Sequence, residues 1–164
     1  MNGPVFHPFE PIFDERSRVL ILGTIPSPRS REIRFYYGHP QNRFWQILPD
    51  IFGEPQLQNI PEKNVFLLKH NIALWDVLSA CDISGAEDST IRNPKPNDLD
   101  RIFSHCKINA VFLNGQKAFS FYKRFFSKKY DIPCFGLPST SPANCRNWDR
   151  EKLTDAYRII LNYL

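Results

Sequence analysis

Short apolar runs with no polar alternation recur along this chain, and stretches whose apolar residues fall at helical spacing separate them. Arg18-Val19-Leu20-Ile21-Leu22-Gly23 is one such run, stopped by glycine. Ile72-Ala73-Leu74-Trp75 running into Asp76, Ala110-Val111-Phe112-Leu113 and Pro133-Cys134-Phe135-Gly136-Leu137 are the others. A strand without a polar face must be covered on both sides. The cover is supplied by helical stretches: Phe44, Ile47, Leu48, Ile51 and Phe52 up to Gly53, then residues 62–70, 98–106 and 116–126. A closing helix carries the stripe Leu153, Ala156, Tyr157, Ile160, Leu161 and Leu164. Strands alternating with helices imply βαβ crossovers. The expected fold is α/β: a three-layer α/β/α sandwich with a parallel sheet of about four strands, built by residues 1–164 as a single domain. Residues 84–97, rich in Gly, Asp, Asn and Pro, are expected to form a long loop.

Composition removes several classes. Cys81, Cys106, Cys134 and Cys145 are widely spaced and lack a Cys-x-x-Cys pair or a histidine at ligand spacing, so reduced thiols are expected and no metal centre. The first residues have neither a basic region nor an apolar core of signal type, and no run reaches membrane-spanning length. A monomeric, cytoplasmic protein without membrane contact is the expectation. The formal net charge of +4 permits a polyanionic partner without demanding one. Arg29, Arg31 and Arg34 cluster after the first strand, and Lys123, Arg124, Lys128 and Lys129 close a later helix as a solvated face.

Two segments carry the chemistry: Tyr36-Tyr37-Gly38-His39-Pro40-Gln41-Asn42-Arg43-Phe44-Trp45 and Leu137-Pro138-Ser139-Thr140-Ser141-Pro142-Ala143-Asn144. The first sets aromatic rings, an imidazole and a carboxamide before an apolar helix, which suits gripping a flat polar ring. The second is a proline-stiffened hydroxyl loop. Both follow apolar runs, so both are expected at the carboxyl edge of one sheet, where open α/β folds bind ligands. Gly-x-Ser-x-Gly, His-Glu-x-x-His, P-loop and Gly-x-Gly-x-x-Gly patterns are all missing from the sequence, and Gly23-Thr24-Ile25-Pro26-Ser27 is too bulky to seat a pyrophosphate. No cofactor is expected. A ring pocket with neutral hydrogen-bonding groups suits cleavage of an N-glycosidic bond, whose oxocarbenium-like transition state and departing base respond to placed dipoles.

These segments, with Ala73-Leu74-Trp75-Asp76-Val77, resemble the uracil-DNA glycosylase superfamily and are most similar to its hypoxanthine-DNA (deoxyinosine) glycosylase family; the resemblance runs from about Arg18 to the last helix. It implies a monofunctional enzyme that releases a deaminated base, hypoxanthine first, from double- or single-stranded DNA. Uracil or mismatch excision, or a non-catalytic nucleic-acid-binding module, are the alternatives. Ile25 occupies the slot where mismatch-specific members carry a catalytic asparagine, and isoleucine cannot position water. The resemblance therefore assigns catalysis to Asn42, with Ser139 near the scissile bond. Thr24, Ile25, Pro26, Ser27, Tyr37 and His39 fall at base-binding positions, Tyr37 as the stacking ring. Thr140, Ser141, Pro142, Ala143, Asn144 and Arg146 fall at DNA-contacting positions, with Pro142, Ala143 and Asn144 as the wedge.

From spacing alone Asn42 reads as a helix cap, and His39 as either a loop-packing imidazole or a contact to base or phosphate. Phe44 and Trp45 read as core. Asp76 and Asp88 are possible general bases, although Asp76 reads better as a loop tie that accepts backbone N–H groups. Lys117 is expected far from both segments, which argues against a Schiff-base step.

Overall fold

Burial on both faces dictates the centre of the molecule. A computed structural model describes residues 2–164. Its strands are β1 (Asn2–Phe6), β2 (Val19–Gly23), β3 (Ile72–Asp76), β4 (Leu78–Ser84), β5 (Arg92–Pro96), β6 (Ala110–Asn114) and β7 (Cys134–Leu137). Its helices are α1 (Pro28–Ile33), α2 (Phe44–Phe52), α3 (Ile60–Lys69), α4 (Asp100–Phe103), α5 (Gln116–Phe126) and α6 (Arg150–Tyr157). Strands β3, β2, β6 and β7 lie in that order in one parallel sheet, with Leu22 opposite both Trp75 and Leu113 and with Asn114 opposite Leu137. Every residue of β2, β3 and β6 is buried, which is why these runs show no alternation.

The order has a direct consequence for ligand binding. The connection from β2 to β3 steps one way across the sheet, and that from β6 to β7 steps the other. Right-handed crossovers then put the two sets of helices on opposite faces, and the strand order reverses between β2 and β6. The carboxyl ends of those two strands, Gly23 and Asn114, flank the crevice that such a reversal opens. The outer edge of β3 is closed by Ile12, which exchanges two 2.9 Å backbone hydrogen bonds with Leu74. Among the described residues no helix is long and apolar enough to cross a membrane.

The expected loop over 84–97 is corrected by a second sheet, antiparallel, in the order β1-β4-β5. Strand β4 leaves the end of β3 after Val77, and a 3₁₀ turn (Asp88–Thr90) leads into β5. Two prolines in Arg92-Asn93-Pro94-Lys95-Pro96 hide that strand from propensity, but an edge strand tolerates them, and the pairing with β4 is interrupted by register shifts. The helix expected over 98–106 contracts to Asp100–Phe103, where the Ser104 hydroxyl turns back onto the Asp100 carbonyl. The closing helix tightens at Arg158 into a 3₁₀ stretch (Arg158–Tyr163). Helix α1, unmarked by any apolar stripe, is capped by the Ser27 side chain and opened by Pro28.

Buried Asn97 stitches the two sheets together: its amide donates to the carbonyls of Asp76 at 2.9 Å and Leu78 at 3.1 Å. Asn97→Ala leaves two inward carbonyls without that donor and should cost about 1–3 kcal/mol. Urea denaturation reads this as a lower midpoint at unchanged slope.

Candidate active site

A cleft opens at the carboxyl edge of the parallel sheet, with a cavity volume of ≈ 150 Å³. That is the scale of one heterocyclic ring system rather than of a dinucleotide. Its floor is set by the strand ends Gly23, Asp76 and Asn114, and its walls by residues 24–27, Tyr37, His39, Asn42 and the loop 139–142. The connection between β4 and β5 adds a further wall through Gly85, Ala86 and Asp88.

Arg43 fastens the two chemistry-bearing segments to each other. Its backbone N–H donates to the Thr140 carbonyl at 3.2 Å. Its guanidinium donates to the Ser141 carbonyl at 2.9 Å and also to the Trp148 carbonyl. A planar fork reaching two carbonyls fixes direction as well as distance. The hydroxyl loop is held from beneath by Asn114, whose amide donates to Thr140 Oγ1 at 3.0 Å while its oxygen accepts the Thr140 N–H at 3.0 Å. The Tyr157 hydroxyl donates to the Pro138 carbonyl at 2.8 Å. Gly115, at φ +104°, lets Ser139 come close: a β-carbon there would stand 3.3 Å from Ser139 Cβ.

Asn42 faces the cavity and also serves the helix behind it. Its Oδ1 accepts the Phe44 N–H at 2.9 Å, so the carboxamide is fixed while its Nδ2 donors and the second oxygen lone pair stay available. Capping and lining the cavity are thus compatible. Tyr37 lies in the left-handed region at φ 52°, a strained position for an aromatic residue. That turn lays its ring on Phe44, centroids 4.0 Å apart and planes 29° from parallel. His39 Nδ1 accepts the Gln41 N–H at 3.1 Å, which leaves Nε2 as the free edge of an exposed imidazole.

The floor holds a buried polar group of residues. Asp76 Oδ2 pairs with His7 Nε2 at 2.7 Å, and both side chains are almost fully enclosed. Gly23 makes room for them: a β-carbon at that position would stand 2.5 Å from Asp76 Oδ1 and 2.9 Å from the Tyr37 hydroxyl. The Tyr37 hydroxyl itself is buried and has no hydrogen-bond partner among the described residues. Burial first, and then the Asp76 charge, hold it well above the ordinary phenol range, so it stays neutral. Burial likewise raises the Asp88 carboxyl; the Thr24 hydroxyl pulls it down and the Asp76 charge pushes it further up.

All the residues expected to bind base line this one cavity: Thr24, Ile25, Pro26, Ser27, Tyr37 and His39. Asn42, Ser139, Thr140, Ser141 and Pro142 line it with them. Ala143 and Arg146 are exposed outside it, and the Asn144 amide donates to the Ser139 carbonyl at 3.0 Å. Phe44 and Trp45 are core. Two expectations are corrected. Asp76 meets the His7 side chain rather than backbone N–H groups, because the chain after β1 crosses the end of β3. Lys117 is not remote, because the β6–α5 turn starts α5 at the same sheet edge; its charge reaches Asp88, although it does not line the cavity and sits over the Phe121 ring. Arg31, read only as part of a basic cluster, donates to the Pro26 carbonyl at 2.8 Å and so braces the 24–27 loop. Arg43, Asn114 and His7 are site residues that local sequence pattern does not single out. A polar residue ending an apolar strand just before glycine was the available signal for Asn114.

The geometry fits what comparison with known proteins finds. Residues 10–164 match the model of the uracil DNA glycosylase superfamily. The chain belongs to that superfamily. It is 36% identical over 140 residues to a protein named hypoxanthine DNA glycosylase from Methanosarcina acetivorans, covering 84% of this chain and 87% of the relative. A protein of the same name from Methanosarcina barkeri is 34% identical over 147 residues, covering 88% of this chain and 91% of the relative. The fold superposes on the solution NMR structure of a provisionally named uracil DNA glycosylase from Methanosarcina acetivorans, with a TM-score of 0.78, 31% identity, and 93% of this chain and 96% of the other covered.

Arg43→Ala should free the two lips from one another. Amide hydrogen exchange at residues 139–144 is expected to speed up by about tenfold or more, with the β2 and β6 amides unaffected.

Proposed function

We propose that this protein is a DNA glycosylase that hydrolyses the N-glycosidic bond of hypoxanthine turned out of DNA into the cleft. The observation that carries the reading is that Asn42 and Ser139, 97 positions apart in the chain, line one ring-sized cavity and are locked there by Arg43. Names given to relatives at 34% and 36% identity supply the base.

The base enters with one face toward Tyr37, whose other face rests on Phe44, so stacking lost in the duplex is replaced inside the protein. Asn42 orients a water toward the sugar carbon through its free oxygen lone pair or its amide. The C1′–N9 bond breaks with its electron pair leaving on the base, and the water oxygen bonds C1′ and sheds a proton. Charge growing on the departing ring is met by backbone N–H groups of the 24–27 loop and by the Ser139 hydroxyl, which is held in register by the Ser141 N–H at 3.1 Å. No lysine lines the cavity among the described residues, in keeping with release by water alone. The 3₁₀ turn (Pro142–Asn144), with exposed Ala143 at its tip, occupies the gap left by the base. Ala143 is a small wedge, which favours bases that already pair poorly.

A duplex with a single deoxyinosine should become alkali-labile at that nucleotide and yield free hypoxanthine. Asn42→Ala should slow single-turnover release by about 10²- to 10⁴-fold and lower stability by about 1 kcal/mol through the lost Phe44 contact. Asn42→Asp keeps an acceptor for the Phe44 N–H and should restore the stability. Intact strands after prolonged incubation of the unaltered protein with deoxyinosine and deoxyuridine duplexes would overturn the reading.

A further inference from the structure

We infer that Asp88, on the wall supplied by the antiparallel sheet, is the group that selects the base, by accepting the ring N–H that lactam bases such as hypoxanthine carry and adenine lacks. The inference rests on the glycosylase reading and names what that site recognises.

Topology sets the direction. Asn42 is tied by its neighbour Arg43 to the loop that follows β7, at one end of the sheet order. Asp88 stands on the connection leaving β4, which continues from β3 at the opposite end, and it meets the Thr24 hydroxyl above β2. Two strand spacings, on the order of 10 Å, separate β2 from β7. A purine whose sugar bond lies between Asn42 and Ser139 therefore directs its far, pairing edge toward Asp88.

Of the two carboxylates that line the cavity, Asp76 is committed to His7 through Oδ2. Asp88, half-buried, has the Thr24 hydroxyl beside it, and the nearby Asp76 disfavours a charge there while Lys117 favours one. A ring N–H pointing at that carboxylate supplies the missing donor. Adenine would instead present a nitrogen lone pair, so lone pairs would face each other across a closed contact. Guanine shares the lactam N–H, and its firm pairing with cytosine makes it costlier to extrude. The selected class is thus the weakly paired lactam base.

The test is binding to duplexes with a 2′-fluoroarabino sugar, which resists cleavage, carrying either hypoxanthine or unsubstituted purine, a base with no ring N–H on that edge. The unaltered protein should bind the hypoxanthine duplex more tightly. Asp88→Ala should weaken that binding by roughly 10- to 100-fold, the scale of one charge-assisted hydrogen bond, and leave purine binding no weaker, since it removes the opposed lone pair. Asp88→Asn, which keeps an oxygen acceptor without the charge, should fall between. Equal weakening toward both duplexes, unchanged preference in Asp88→Ala, or no preference in the unaltered protein would each overturn the inference. Base release from a cleavable deoxyinosine duplex, measured alongside, reports the glycosylase reading separately.

Discussion

The site exists because one guanidinium joins two segments that the chain keeps far apart. Arg43 sits between the carboxamide segment and helix α2, yet its donors reach the carbonyls of the loop after β7 and of Trp148. Remove that fork, and the sheet still forms from its buried strands, but Asn42 and Ser139 lose a common frame. Lysine cannot replace it, since an ammonium is a point charge without a planar pair of directions. The backbone N–H of the same residue adds a third tie, to Thr140. The relative placement of the two segments thereby rests on hydrogen bonds made by a residue other than Asn42 and Ser139.

The floor beneath shows the complementary constraint. Gly23 has no side chain because Asp76 Oδ1 and the Tyr37 hydroxyl already occupy that space, so the carboxyl end of β2 is where polar groups converge. Asp76 is buried but paired with His7, as an enclosed carboxylate must be. The second sheet supplies both partners that the parallel sheet lacks: His7 from the chain after β1, and Asp88 from the turn before β5. The cavity at the edge of the α/β core is completed by an antiparallel appendage.

Much of this was legible in the sequence, and the misses share a cause. The unalternating runs ending at Gly23, Asp76, Leu113 and Leu137 lie in four parallel strands; burial on both faces leaves that local trace in the first three, while β7 is only partly covered. The two polar segments fall at one sheet edge for the same reason. The antiparallel sheet left no such trace: Arg92-Asn93-Pro94-Lys95-Pro96 is exposed and proline-rich, and only its pairing with β4 makes it a strand. Arg43 was invisible because its partners are backbone carbonyls about 100 residues away. His7 likewise pairs across 69 positions. Local pattern reports local burial, and contacts of this span have no periodicity to read.

A double-mutant cycle on Asn42 and Ser139, followed by single-turnover release of hypoxanthine, tests most directly whether the two lips form one catalytic centre. Groups that act on the same water and the same departing base are strongly non-additive, so the double alanine variant should be scarcely slower than the worse single one. Rate losses that multiply, as for independent sites, would contradict the account.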